Sequence, residues 1–398
     1  MRVGSWPMFT VKEIPSQLKI RRRILALGSD TRQRISWADK GRIYSLAPQE
    51  DLSSIEDFYF KASAFLSKKI KLRPDLITFD PHPLFASSRL SVPLRQRFFK
   101  EAKLLPVFHH VAHAANFGIE AGTHRNFIAV AFDGTGFGAD GNVWGGEFFV
   151  YAKGCFQRKA HFEYQPLAGG EAAIREPWRV AFAVLYGIYG RKILRMRPGF
   201  LKGVAEEKLD LVAQMVEKRF NAPLTSSAGR LFDAVSVLLA LKTTVQKEAE
   251  AAVALERTAA GFKGNAPAYG FSVRETAGLS VIGLTPMFRE MMKDIAKKRP
   301  VPEIAYRFHM TLACVIACVC SRLGKKYKTR NVYLCGGVFM NDILTRESGE
   351  LLVKAGLRPY FAKRPATTDL GISQGQVAAC EMGNLSRLRL RRDVTECP

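Results

Sequence analysis

The sequence predicts an α/β protein of two lobes with a nucleotide cleft between them. Three observations carry this. Strand-like apolar runs end in glycine turns at three widely separated places: Gly28-Ser29-Asp30-Thr31 after Leu27, Asp133-Gly134-Thr135-Gly136 after Phe132, and Gly336-Gly337 after Cys335. Each turn leads into a further strand or helix, an arrangement that brings backbone N–H groups up to an anion. The chain has 398 residues and 47% apolar content, enough for a large core divided between two lobes.

Taken in order, residues 1–21 show no clear period and are expected to form an arm. A strand over 24–27 and strand-like pieces near 33–38 and 41–47 read as a hairpin, either ordinary or folded over a phosphate. Helical spacing over 55–71 and a strand over 75–80 follow. His82 then stands between Pro81 and Pro83, so a stiff loop holds it. It is either a positioned functional group or a turn residue.

The stretch from 108 to 144 organises the rest. His109 and His113 are four apart, so a helix sets them on one face. An apolar run, IAVAF, then ends in Asp133. Two imidazoles and a carboxylate suit zinc or iron(II). His110 is not at ligand spacing and is left facing the substrate or supporting the ligands. His110 and His82 are the candidates for direct catalytic roles, which the sequence alone does not assign.

Beyond another strand at 147–151, Arg175 and Arg179 follow a Gly169-Gly170 turn and read best as a solvated helix start. Residues 200–300 are mostly helical. Within them SSAGRLFDAV opens a helix that carries Asp233 on an otherwise apolar face, with Arg230 at i−3 as the expected partner. His309, early in a strongly apolar helix, reads as a core residue. Asn331-Val332-Tyr333-Leu334-Cys335 runs as a strand into the third glycine turn, and Asp369 opens the last helix. The proposed division is an arm at 1–21, a first α/β lobe at 22–125 with the histidine helix, a second at 126–385 with a helical insert at about 166–300, and a basic tail at 386–398.

Composition sets the outer limits. Sixty Lys and Arg against 36 Asp and Glu give a formal charge of +24, which favours acidic or nucleotide partners. The basic residues lie in scattered clusters without interleaved aromatics, so nucleic acid is not the favoured partner. The seven cysteines form no C-x2-C pair. No charged-then-apolar leader and no stretch near ~20 apolar residues is seen, so no membrane contact and a reducing cytoplasm are expected.

The phrases HHVAHAANF, VAFDGTGFGADGNVWGGEF, AIREPWRVA, TSSAGRLFDAVSVLL, LCGGVFMN and TTDLGISQGQ occur in one order. Together they resemble the carbamoyltransferase domain of the hydrogenase maturation family HypF, over roughly residues 22–383. The resemblance implies the two-lobed actin-like ATPase (ASKHA) fold shared with tRNA threonylcarbamoyltransferases. It also implies transfer of a carbamoyl group from carbamoyl-adenylate to the C-terminal cysteine of a HypE-like acceptor, on the way to the cyanide ligands of [NiFe]-hydrogenase. On matching positions, His109, His113, Asp133 and Asp369 would hold a divalent metal, zinc or iron. Gly134, Thr135, Gly136, Gly336, Gly337 and Asn341 would line the nucleotide, while Gly229, Arg230 and Asp233 would pack against its nucleoside. Full-length family members carry further N-terminal domains, including the one that makes carbamoyl-adenylate, so that function is expected in trans. The chain departs from the family pattern at Lys247, Ala249 and Leu370. The alternatives are a carbamoyltransferase acting on a small molecule or tRNA, and a noncatalytic nucleotide-binding scaffold.

Overall fold

The computed structural model describes residues 4–50, 52–122, 125–247, 249–363 and 367–383. The first sheet holds β1 (Gly4–Ser5), β2 (Phe9–Ile14), β3 (Ile24–Ala26), β4 (Ile35–Asp39), β5 (Arg42–Pro48), β6 (Leu76–Phe79) and β7 (Lys103–Pro106) in the order β1-β2-β5-β4-β3-β6-β7. The second lobe begins with β8 (Phe127–Phe132), β9 (Gly146–Ala152) and β10 (Cys155–Phe162), and a two-stranded pair, β11 (Gln165–Pro166) and β12 (Leu224–Thr225), stands apart. With β13 (Ser272–Thr276), β14 (Leu279–Gly283), β15 (Asn331–Cys335) and β16 (Arg358–Phe361), the second sheet runs β13-β14-β10-β9-β8-β15-β16.

The two sheets repeat one plan. In the first, β5, β4 and β3 are an antiparallel meander, and β6 and β7 continue parallel to β3. In the second, β10, β9 and β8 form the meander, and β15 and β16 continue parallel to β8. Parallel strands need covered faces, and β8 is buried at every position. Its Ile128, Val130 and Phe132 face a core under the helices of the second lobe, while Phe127, Ala129 and Ala131 face the core between the sheets. This two-fold alternation is what the pleat requires. A third core, around Trp37, Phe58 and Leu66, lies on the outer side of the first sheet.

The last strand of each half leads to a helix between the sheets: the histidine helix, His109–Ala121, and the closing helix, Ile372–Met382. Glycines let them meet closely. A Cβ on Gly375 would fall 2.0 Å from the Ala112 carbonyl oxygen, and one on Gly118 would fall 2.3 Å from Met382 Sδ. The contact at Gly375 is with backbone, so that position needs a bare backbone, whereas a side chain at Gly118 would require Met382 to move.

Several expectations change. Residues 9–14 are not an arm, since β2 pairs along its whole length with β5. Phe9 and Val11 are buried there, and that burial fixes the segment in the sheet. The closing helix belongs spatially with the first sheet: Ser373 Oγ and Ser36 Oγ lie 2.8 Å apart, and Gln376 bonds both the N–H and the C=O of Gly28. The segment 166–300 is not wholly helical, because β13 and β14 extend the second sheet, with β14 parallel to β10. The helix Val301–Tyr327 is long and apolar enough to cross a membrane by length and composition, contrary to the sequence reading, yet most of that window is buried inside the protein. The basic tail lies outside the described residues.

Candidate metal centre and cleft

The centre sits where the two halves meet. The histidine helix starts at His109, so His109 and His113 occupy its first two turns on the face expected from their spacing. Asp133 leaves the end of β8, and Asp369 opens a short 3-10 turn ahead of the closing helix. One ligand atom from each of the four residues lies within 4.8 Å of the other three. His113 Nε2 is 3.1 Å from Asp133 Oδ2 and 3.8 Å from Asp369 Oδ1, and His109 Nε2 is 3.4 Å from both carboxylates. Donor atoms on a tetrahedral zinc stand about 3.3 Å apart, given bonds of about 2 Å. The cluster thus has the right donors at nearly the right spacing for zinc or iron(II).

Electrostatics agree with that fit. Burial alone would drive the proton from His109, but the charge of Asp369 and bonds to Asp133, Asp369 and Asp80 outweigh it and raise the imidazole well above its ordinary value. His113 is raised the same way, its burial being outweighed by Asp133 and Asp369. Burial would lift the carboxyl of Asp133, yet the two imidazoles hold it below the ordinary range, and Asp369 lies well below it for the same reason. Three buried groups and the partly exposed Asp369, pulling this strongly on protons, will also pull on a cation.

Asp80 was not among the residues singled out, and it matters here. It follows β6, is 1% exposed, and its Oδ2 lies 3.0 Å from His109 Nδ1. Its Oδ1 accepts the His82 N–H at 3.1 Å. With Nδ1–H bonded to Asp80, Nε2 is the nitrogen turned toward the cluster, and a bound cation would displace its proton and take its lone pair. The signal was in the sequence: Asp80 ends an apolar strand as Asp133 does.

The glycines act mainly through close approach. A Cβ on Gly229 would meet Gly134 Cα at 2.8 Å, one on Gly336 would meet the Phe132 carbonyl oxygen at 2.3 Å, and one on Gly337 would stand 3.1 Å from Asp133 Oδ1. Gly136 makes room for His110, whose Cε1 would lie 2.4 Å from an added Cβ. The helix Ala228–Leu238 therefore butts directly onto the Asp133-Gly134 turn, and Ser227 Oγ bonds both carbonyl oxygens of that turn at 2.7 and 2.6 Å. Thr135 is part of the same turn.

Arg230 and Asp233 form the expected ion pair at 2.9 Å, both buried. Arg230 Nε and Nη1 have no hydrogen-bond partner among the described residues, and Nη2 stands 3.7 Å from a Cβ built on Gly134. Asn341 is committed to structure: its Oδ1 caps the helix Asp342–Lys354 through Leu344 N, and its Nδ2 meets His309 Nε2 at 3.0 Å. His309 is thus a core residue, as expected. His110 is fully buried, and neither ring nitrogen has a hydrogen-bond partner among the described residues. Burial and the neighbouring His109 push its pKa well down, so it is neutral. His82 is held by stacking on Phe85 at 4.2 Å and meets Phe137 of the other lobe edge-on at 5.6 Å. Arg175 and Arg179 pair with Glu171 and Glu176, as a helix start would. The departures lie in the same lobe and its join: Lys247 is exposed, Leu370 half-buried, and Ala249 holds a left-handed backbone at φ +59°.

Comparison with known proteins gives the family. Residues 129–376 match the family model described as carbamoyltransferase, Kae1-like domain, second subdomain, and residues 19–120 match the HypF Kae1-like domain. Carbamoyltransferase HypF2 of Cupriavidus necator is 30% identical over 91% of this chain and 47% of its own length. A carbamoyltransferase HypF homolog of the same organism is 33% identical over 75% of this chain and 76% of its own length. Among solved structures, full-length HypF in its phosphate- and nucleotide-bound form superposes with a TM-score of 0.83 at 26% identity, over 93% of this chain and 57% of that one. T. kodakarensis HypF gives 0.79 at 28% identity, over 94% and 48%. The chain spans about half the length of the first curated relatives it matches. It belongs to the HypF carbamoyltransferase family.

Proposed function

We propose that this member of the HypF family transfers a carbamoyl group from carbamoyl-adenylate to the C-terminal cysteine of a HypE-like acceptor protein, with one divalent metal held by His109, His113, Asp133 and Asp369. The observation that carries the reading is the convergence of two imidazoles and two carboxylates from both halves of the chain within 4.8 Å. A bound zinc or iron(II) would act as a Lewis acid on a phosphate or carbamoyl oxygen.

The chain's own groups do the rest. The Asp133-Gly134-Thr135-Gly136 and Gly336-Gly337 turns offer backbone close to the phosphate. Arg230, with buried donors left over from its pair with Asp233, adds positive charge beside Gly134. Neutral His110, walled by Gly136 and Trp144, is a hydrogen-bonding partner for the carbamoyl group. In the transfer, the acceptor sulfur bonds to the carbamoyl carbon, the bond from that carbon to the phosphate oxygen breaks, AMP leaves, and the thiol proton passes to solvent or to a base such as His82.

The test is mass spectrometry of the acceptor after incubation with the chain, metal and carbamoyl-adenylate. The expected result is one added carbamoyl group, lost when the acceptor's C-terminal cysteine becomes serine. Transfer to labelled tRNA or a small alcohol instead would replace this reading.

A further inference from the structure

The strand ends opposite the metal centre carry a second feature. β8 starts at Phe127, β15 at Asn331 and β16 at Arg358, and they run parallel, so these starts share one edge of the sheet. The six residues of β8 set that edge about 20 Å from Asp133. Two overlapping clefts open there, of about 400 and 410 Å3, sharing Arg125, Asn331 and Arg358. Lys328 and Arg330 line one of them, and Phe117 and Tyr360 the other. Among the described residues, no acidic side chain lines either cleft.

The walls are preformed. Arg358 N donates to the Arg330 carbonyl at 2.7 Å, and Arg330 Nε donates to the Gly356 carbonyl at 2.8 Å. Thr329 Oγ1 donates to the Asn126 carbonyl at 2.6 Å, and Asn126 Nδ2 to the Tyr327 carbonyl at 3.2 Å. The C-terminus of the helix Val301–Tyr327 brings roughly half a negative charge to one side. Four cationic side chains outweigh it several-fold. Guanidinium forks match phosphate oxygens in pairs, and the 38%-exposed Tyr360 ring offers a face for a flat apolar group.

We propose that this cleft is a second ligand site, distinct from the metal centre, which binds phosphate esters between Arg125, Arg358 and Lys328. A volume near 400 Å3 fits a nucleotide-sized ligand, supplied free or as a segment of a nucleic-acid strand. An acidic protein segment would satisfy the charge and the forks but would leave the Tyr360 face unused.

The test is calorimetric titration of the whole chain with inorganic pyrophosphate, a short oligoribonucleotide and poly-glutamate, each against wild type and R125A/R358A. Both arginines are exposed, so the double variant should fold, and its carbamoyl transfer should equal wild type. The expected result is phosphate-dependent binding that weakens at least tenfold in the double variant. Binding of pyrophosphate assigns a free phosphate ligand, and binding of the oligoribonucleotide alone assigns a strand. Equal binding by wild type and variant, or tighter binding of poly-glutamate than of either phosphate probe, overturns the proposal. Because transfer is read separately, failure here leaves the carbamoyl reading untouched, and the reverse also holds.

Discussion

Asp80 Oδ2 lies 3.0 Å from His109 Nδ1, and this contact decides which nitrogen of His109 faces the cluster. Both groups are buried, and Asp80 is itself held by the His82 N–H. The link ties the Pro81-His82-Pro83 loop of the first lobe to the centre. It also explains why a residue that touches no other member of the four-residue cluster should matter for metal affinity.

Asp80→Ala is therefore expected to weaken metal binding by roughly 10- to 100-fold while leaving the four ligands in place. Competition with a chromophoric chelator measures this. Wild-type affinity in the variant would remove Asp80 from the account.

His113→Ala should lose both metal and transfer, because it removes a ligand, whereas His110→Ala should keep the metal and lose transfer. Metal analysis of the two purified variants separates them. Retained stoichiometric metal in His113→Ala would show that the ligand assignment is wrong.

His309 gives a pH dependence of known sign. Burial lowers its folded pKa to about 4, against the opposing bond to Ala305. An unfolded histidine titrates near 6.5. Below about 6.5 the unfolded chain gains a proton that the folded chain refuses, so stability is full above that pH and is lost as pH falls toward 4. The loss should approach about 3 kcal/mol. Urea unfolding between pH 7 and 4.5 should give a steeper decline for wild type than for His309→Gln, and parallel curves would contradict it.

Ala249 should become more stable as glycine. It is exposed at φ +59°, where a side chain costs roughly 1 kcal/mol that glycine avoids. Ala249→Gly should raise the unfolding midpoint, and a lower midpoint would mean that the segment takes another backbone conformation.

Local chemistry was legible in the sequence, and long-range pairing was not. The spacing of His109 and His113 and the strand-end position of Asp133 are properties of a few consecutive residues, so a helix and a pleat suffice to place them. Asp369 came only through family resemblance, because nothing local says that the closing helix crosses back onto the first lobe. β2 was missed because its partner, β5, lies some thirty residues away, and β13 because its side chains are mostly exposed and polar. Asp80 was overlooked beside the more conspicuous His82, although its strand-end carboxylate matches Asp133. Gly375 carries no legible signal, since its need appears only when the two central helices are packed.

The central claim is that one metal, held from both halves of the chain, supports carbamoyl transfer. Its most direct test is stepwise return of zinc or iron(II) to chelator-treated protein, with transfer to the acceptor cysteine followed by mass. The account predicts no transfer without metal, a rise that breaks at one metal per chain, and no recovery in Asp369→Ala. Full transfer by the metal-free chain would contradict it.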